Sequence, residues 1–214
     1  MADKVTMVSE AELTSALHKG LTAAQGQRLH TAKVAIVGLG GLGSNVALWL
    51  ARLGVGQLLL YDFDKVELSN LNRQYYFLED VGQYKATALL HHLQAVNPYG
   101  NYQSRVVRLT EDNLAELVSE AHIVCEALDK PEAKALLVNG VLESFPDKYL
   151  VSASGLAGFA SSASMQVRRV TPRFYLCGDG VSDMLQLPLC GARVGLCAAQ
   201  EALTIARIIL QMED

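Results

Sequence analysis

Apolar and polar positions fall in blocks along this chain, and the length of each block separates strands from helices. Residues 33–38 (Lys-Val-Ala-Ile-Val-Gly) are a short apolar, β-branched run, the pattern of a strand buried on both faces. A second such run, Gln57–Tyr61, ends at Asp62, and an apolar-rich helix fits between them at about 42–53. Residues 63–80 are polar and irregular. Helical spacing resumes at about 82–96 and stops at Asn97-Pro98, because proline disfavours helix in the residue before it. Strands near 102–108, 121–126 and 149–153 then alternate with helices opening around Thr110 and covering 131–144. This alternation predicts an α/β fold, with a mainly parallel sheet covered by helices on both faces.

The pattern changes after Gly155. The small-residue stretch 157–164 leads into Met165–Val170, with Arg173–Leu176 close behind; both read as antiparallel strands appended near the C-terminus. A loop rich in Gly and Asp follows, then a last helix over about 194–211. Residues 1–31 read as a helical arm, in which Thr22 and Gln25 have the spacing of a capping box. No repeat or linker interrupts 32–214, which is read as a single domain.

Composition narrows the class. The 214 residues are 50% hydrophobic and 19% charged, enough for one core-rich domain. A net charge of −4 without a basic stripe gives no electrostatic reason to expect nucleic acid. The longest apolar runs are too short to span a membrane and nothing reads as a signal peptide, so a cytoplasmic protein with no membrane partner is expected. Cysteines stand at 125, 177, 190 and 197 with no Cys-x-x-Cys pair; no zinc is expected, and thiols are. Cys125, Cys190 and Cys197 read as small buried residues. Cys177, in the loop-like Cys-Gly-Asp-Gly, is the possible reactive thiol. His91 and His92 read as surface or packing residues.

Gly38-Leu39-Gly40-Gly41-Leu42-Gly43 directly follows a strand and opens a helix. Such glycines allow a tight turn and close backbone approach, while the helix N-terminus offers free N–H groups to phosphate. Asp62 ends the second strand at the distance expected of a ribose-binding carboxylate; Asp64 serves either the nucleotide or the next loop. At this point NAD and ATP are both open. The tract Asp62–Gln74 carries Asn70, which can bond sugar or phosphate oxygens, and Arg73 and Gln74, which can meet a triphosphate; Lys85 adds a second cation. Two cations beside a glycine loop suit three phosphates better than a nicotinamide.

The ordered motifs Gly-x-Gly-Gly-Leu-Gly-Ser, Asp-Phe-Asp, Ser-Asn-Leu-Asn-Arg-Gln, Gly-x-x-Lys and Asn-Pro resemble the adenylating-enzyme family of ubiquitin-activating enzymes, molybdopterin-synthase adenylyltransferases and ThiF proteins. Ala-Leu-Asp-Lys-Pro-Glu-Ala-Lys, Ala-Ser-Gly-Leu-Ala-Gly and Phe-Tyr-Leu-Cys-Gly-Asp-Gly-Val-Ser-Asp are most similar to its short ThiF-like branch. The resemblance implies a Rossmann-like fold, ATP and Mg²⁺ as cofactors, and adenylation of the Gly-Gly carboxylate of a ThiS-like sulfur carrier in thiamine biosynthesis. It implies that Gly40, Gly41 and Gly43 line the phosphates, with Gly38 in the same loop. Asp62 would hold the ribose, Asn70, Arg73 and Lys85 the triphosphate, and Asp129 the Mg²⁺; Asp129 could instead cap the following helix. A homodimer is also implied, through the N-terminal arm and last helix. Three family features have no secure match: an arginine-bearing arm (Arg28 or Lys19 being the nearest substitutes), paired Cys-x-x-Cys zinc motifs, and a transfer thiol. The rival readings are adenylation of a small-molecule or tRNA-borne carboxylate, a silent carrier-binding scaffold, and an NAD-dependent oxidoreductase.

Overall fold

Helix and strand boundaries follow from a computed structural model that describes residues 8–212; residues 1–7 of the expected arm lie outside the described residues. The arm contributes α1 (Glu10–Leu17) and α2 (Ala23–Thr31). The expected capping box opens α2: the Gln25 N–H donates to Thr22 Oγ1, and the Thr22 N–H to Gln25 Oε1 at 2.9 Å. Helix α1 buries none of its residues. Arg28 reaches the other end of the chain, donating to the Leu210 carbonyl at 3.0 Å.

The sheet then forms from β1 (Lys33–Val37), β2 (Gln57–Asp62), β3 (Asn101–Val106), β4 (Ile123–Glu126), β5 (Tyr149–Ala153), β6 (Gln166–Thr171) and β7 (Phe174–Gly178). Their order is β3-β2-β1-β4-β5-β7-β6. Every neighbouring pair is parallel except the hairpin β6–β7, which joins the sheet through β7 running parallel to β5. The fold is therefore a Rossmann-like α/β sheet in which β2 and β3 are added on one side of β1 and the later strands on the other.

Helices α3 (Gly41–Arg52), α4 (Lys85–Val96) and α7 (Gly191–Leu210) cover one face, and α5 (Glu111–Ser119) and α6 (Pro131–Ser144) the other. The two-residue period of a strand divides β1 between them. Val34 and Ile36 join Leu50, Leu89 and Ile205 in one core, whereas Ala35 and Val37 join Leu117 and Leu137 in the other. Burying both faces explains why β1 reads as a continuous apolar run.

Two helix starts differ from the sequence expectation. Helix α4 begins at Lys85 because Gly82 has φ +92° and Tyr84 bridges Lys65, keeping residues 82–84 out of the helix. Helix α7 begins earlier, at Gly191, where a Cβ would lie 2.2 Å from the Asn72 carbonyl oxygen. Among the described residues no helix is long and apolar enough to cross a membrane.

Candidate functional site

The C-terminal ends of β1, β2 and β4 diverge around a cavity of about 530 Å³, at the reversal point where open α/β sheets bind ligands. Its floor is the glycine turn. Gly38 has φ +90°, and a Cβ there would meet the Ala127 carbonyl oxygen at 2.6 Å, so only glycine lets β1 turn beneath the end of β4. Gly43 is constrained more tightly still, since its Cβ would sit 1.9 Å from the Gly38 carbonyl oxygen. Gly40 occupies the N-cap of α3 and supplies no side-chain cap. The first-turn N–H groups are thereby left for a ligand, at the positive end of the helix dipole.

Asp62 holds the turn. Its Oδ2 accepts the Leu39 N–H at 2.7 Å and its Oδ1 the Asp64 N–H at 2.8 Å. Burial raises its carboxyl above the usual range, opposed by the Lys85 charge and those two N–H donors. Tyr76 braces the turn from below, donating to the Leu39 carbonyl at 2.8 Å. Ser44 Oγ donates to the Gly40 carbonyl at 2.6 Å and accepts the Tyr75 N–H at 2.9 Å. The polar tract 63–80 is thus stitched onto α3 rather than left in solvent.

Gly38, Gly40, Gly41, Asp62, Asp64, Arg73 and Asp129 all line this cavity. Gly43, Asn70 and Lys85 do not; they support it. Asn70 is buried, with Oδ1 accepting the Glu67 N–H at 3.0 Å, while its carbonyl accepts the N–H groups of Arg73 and Gln74. It therefore shapes the turn that presents those two side chains. Lys85 is buried and pairs with Asp64 Oδ2 at 3.2 Å. Arg73 steadies one guanidinium nitrogen on the Ser69 carbonyl (2.9 Å) and Asn72 Oδ1 (2.8 Å). Gln74 lines the cavity with its Oε1 buried and unpartnered, an arrangement that awaits a donor.

Asp129 is exposed on the cavity wall and has no hydrogen-bond or ion-pair partner among the described residues. It does not cap α6, whose N-cap is Lys130. A lone, unpaired carboxylate fits Mg²⁺, which keeps several waters and completes its shell with substrate phosphates.

Cys177 requires a correction. It belongs to β7 rather than a loop, is 1% exposed, and burial pushes its thiol far above the ordinary value. Its sulfur lacks the exposure and thiolate character that reactivity needs. Cys125 and Cys197 are buried as expected, whereas Cys190 is only half-buried.

Three site features escaped the sequence. Glu126, fully buried at the end of β4, accepts from Ser152 Oγ, the Leu128 N–H and Lys134 Nζ; Lys134, on the cavity wall, also donates to the Ala153 carbonyl at 3.0 Å. A carboxylate closing a four-residue apolar strand was the available signal. Arg193 pairs with Asp179 at 2.5 Å beneath the wall segments 154–157 and 180–184. Arg108 places its guanidinium carbon over the Phe63 ring at the far end of the cavity.

This is a doubly wound α/β protein with an uncapped helix N-terminus, an acidic residue ending β2 and a cation-bearing loop converging on one cavity. The chain belongs to the ThiF family, whose model matches residues 15–213. It is 39% identical over 127 residues to a sulfur carrier protein adenylyltransferase of Thermus thermophilus, covering 59% of this chain and 42% of that protein. It is 32% identical over 203 residues to the adenylyltransferase and sulfurtransferase MOCS3 of Anopheles gambiae, covering 88% and 44%. The chain thus spans less than half the length of these relatives. Among solved structures, E. coli tRNA N6-threonylcarbamoyladenosine dehydratase (TcdA) in complex with ATP matches with a TM-score of 0.82 at 22% identity, covering 98% of this chain and 100% of that one. E. coli MccB with ATP matches with a TM-score of 0.71 at 22% identity, covering 88% and 59%.

Proposed function

We propose that this chain uses ATP to adenylate the C-terminal carboxylate of a ubiquitin-like sulfur carrier, with a ThiS-like carrier of thiamine biosynthesis as the first partner to test. One observation carries the reading: the open α3 N-terminus, Asp62, Arg73 and the unpaired Asp129 face a single cavity. The curated relatives named as adenylyltransferases support it.

In this mechanism a carrier carboxylate oxygen bonds to the α-phosphorus of ATP, and the bond from that phosphorus to the oxygen bridging to the β-phosphorus breaks. Pyrophosphate leaves with that electron pair. A carboxylate is already ionised at neutral pH, so the protein need not remove a proton. Its residues hold and orient: the α3 amides and Arg73 take the phosphates, Asp62 the ribose, and Gln74 Oε1 a ligand donor. Asp129 would hold Mg²⁺, which supplies charge neutralisation on the phosphates. Lys85 acts from behind the wall, pairing with Asp64 and opposing the upward push of burial on the Asp62 carboxyl.

Carrier-dependent ATP–pyrophosphate exchange tests the reading, with Mg²⁺ and a purified carrier ending in Gly-Gly. Exchange should fall by about 100-fold or more in Arg73→Ala, as for other donors to developing charge, and also collapse in Asp129→Ala. Absence of exchange in a wild-type protein that binds ATP refutes carrier adenylation. A second reading, an RNA-borne carboxylate, draws on the end-to-end fold match to TcdA; the net charge of −4 weighs against it. We extend the proposal to a homodimer, since Leu68, Leu78 and Leu203 expose large apolar side chains. Light scattering at 23.1 kDa would remove that extension.

A further inference from the structure

The cavity continues beyond Asp62 to a stretch of wall that phosphates do not need. Phe63, Val107, Arg108 and Leu109 close it past the end of β3. The guanidinium carbon of Arg108 lies 3.9 Å from the centre of the Phe63 ring. That separation is reached only over the ring face, because an in-plane approach stops at the ring hydrogens. The backbone beneath is fixed at two points: the Val107 N–H donates to the Asp62 carbonyl at 3.2 Å, and Asn113 Nδ2 to the Arg108 carbonyl at 2.9 Å. The side chain is exposed and, among the described residues, has no carboxylate partner. The guanidinium carbon of Arg108 thus sits over the face of an aromatic ring on the cavity wall, with the ring on one side and the side chain otherwise exposed.

Connectivity decides what meets that face. With phosphates at the α3 N-terminus and the sugar on Asp62, a nucleotide continues from sugar to base in the direction of Phe63 and Arg108. We infer that Arg108, backed by Phe63, is the stacking platform for the nucleobase and makes the site prefer purine over pyrimidine nucleotides. The inference rests on the nucleotide reading above and adds to it the residue that selects the base. Stacking over a guanidinium plane depends on the area of the base face and tolerates different exocyclic groups. Adenine and guanine therefore gain alike from Arg108, while cytosine gains less. An arginine presenting its edge would act differently, pairing with O6 and N7 of guanine, and a marked preference for GTP would reveal it.

Calorimetric titration of the full chain with ATP, GTP, CTP and inorganic tripolyphosphate, all with Mg²⁺, tests this in wild type, Arg108→Ala and Arg108→Lys. Arg108→Ala should weaken ATP and GTP by about tenfold, the scale of one lost base-stacking contact, and leave tripolyphosphate within about twofold. Arg108→Lys should fail to restore purine binding, because an ammonium keeps the charge without the plane. Equal losses for ATP and tripolyphosphate would show a phosphate contact and overturn the inference. So would unchanged ATP binding in Arg108→Ala, or a strong wild-type preference for GTP that the variant abolishes. A wild type that binds tripolyphosphate as well as ATP overturns the base platform alone. A wild type that binds none of the four overturns the nucleotide reading with it.

Discussion

Replacing Arg193 by methionine should unfold the wall of the cavity without touching any group assigned to the phosphates. Arg193 sits in the first turn of α7 with 4% of its side chain exposed. It donates to Asp179 Oδ2 at 2.5 Å, Ser164 Oγ at 3.1 Å, and the carbonyls of Ala160 (2.8 Å) and Ser161 (3.3 Å). Asp179 in turn accepts the Val181 and Ser182 N–H groups at 2.9 and 2.8 Å. One guanidinium therefore ties α7 to both segments that follow β5 and β7. Removing it strands a buried carboxylate, a change that costs about 3–5 kcal/mol. At roughly 2–4 °C per kcal/mol for a chain of this size, the melting temperature should fall by about 6–20 °C. Thermal melts of wild type, Arg193→Met, Asp179→Asn and the double variant measure the cost and the coupling. The double variant should lose less than the sum of the singles. Burial of Asp179 works against its ionisation, but the N–H groups of Ser182 and Val181, the Ser182 hydroxyl and Arg193 outweigh it and hold the carboxyl down to about 2. A depressed acid stabilises the fold above its unfolded value and loses that contribution as pH falls through the folded one. The gap between wild type and Arg193→Met should stay constant from pH 8 to about 4 and close only toward pH 2. A loss below about 1 kcal/mol at pH 7, the scale of an exposed pair, would refute the reasoning.

Gly43→Ala places a methyl 1.9 Å from the Gly38 carbonyl oxygen and 2.9 Å from its carbon, both backbone atoms. Forcing α3 off the glycine turn should cost about 3 kcal/mol or more, with ATP binding lost; a melting temperature within about 3 °C of wild type, equivalent to about 1 kcal/mol, contradicts the packing argument. Glu201 is fully buried with both carboxyl oxygens unpartnered. Burial first, and then the Glu126 charge, raise its acid well above the usual range, with Lys134 opposing. A raised acid leaves stability intact below its unfolded value of about 4.3 and forfeits it as pH rises toward the folded one. Glu201→Gln removes that titration. It should gain on the order of 1–3 kcal/mol at pH 8, and the gain should shrink as pH falls toward 4; denaturant melts showing a pH-independent difference would exclude it.

The parts of this molecule that the sequence made legible are those whose geometry is local. A strand, a glycine turn and a helix are written within Val34–Arg52, and one carboxylate at the end of the next strand completes the nucleotide frame; Asp62 accepts the Leu39 N–H as that frame requires. What a loop presents and what it hides is not local. Asn70 and Arg73 lie three residues apart in the same polar tract, yet the turn that Asn70 makes with Glu67 buries it and turns Arg73 to the cavity. Cys177 precedes Gly-Asp-Gly and so looked like loop, but pairing with Ala153 on β5 carries the strand to Gly178 and draws the thiol into the core. Charge pairs that support the wall are less legible still. Lys134 is eight residues from Glu126, across the β4–α6 turn, and Arg193 is fourteen from Asp179 across an irregular loop. Neither spacing signals a contact by itself, because only the packing of α6 and α7 on the sheet brings the partners together. That same packing gives the two pairs different duties. Glu126 and Lys134 fasten the ends of β4 and β5, the rigid side of the cavity. Arg193 and Asp179 fasten an irregular side, where the exposed Val181 and Met184 line the cavity from a loop outside any helix or strand. A carrier tail entering the cavity would meet this loop, so losing Arg193 should impair carrier-dependent exchange more than it impairs ATP binding.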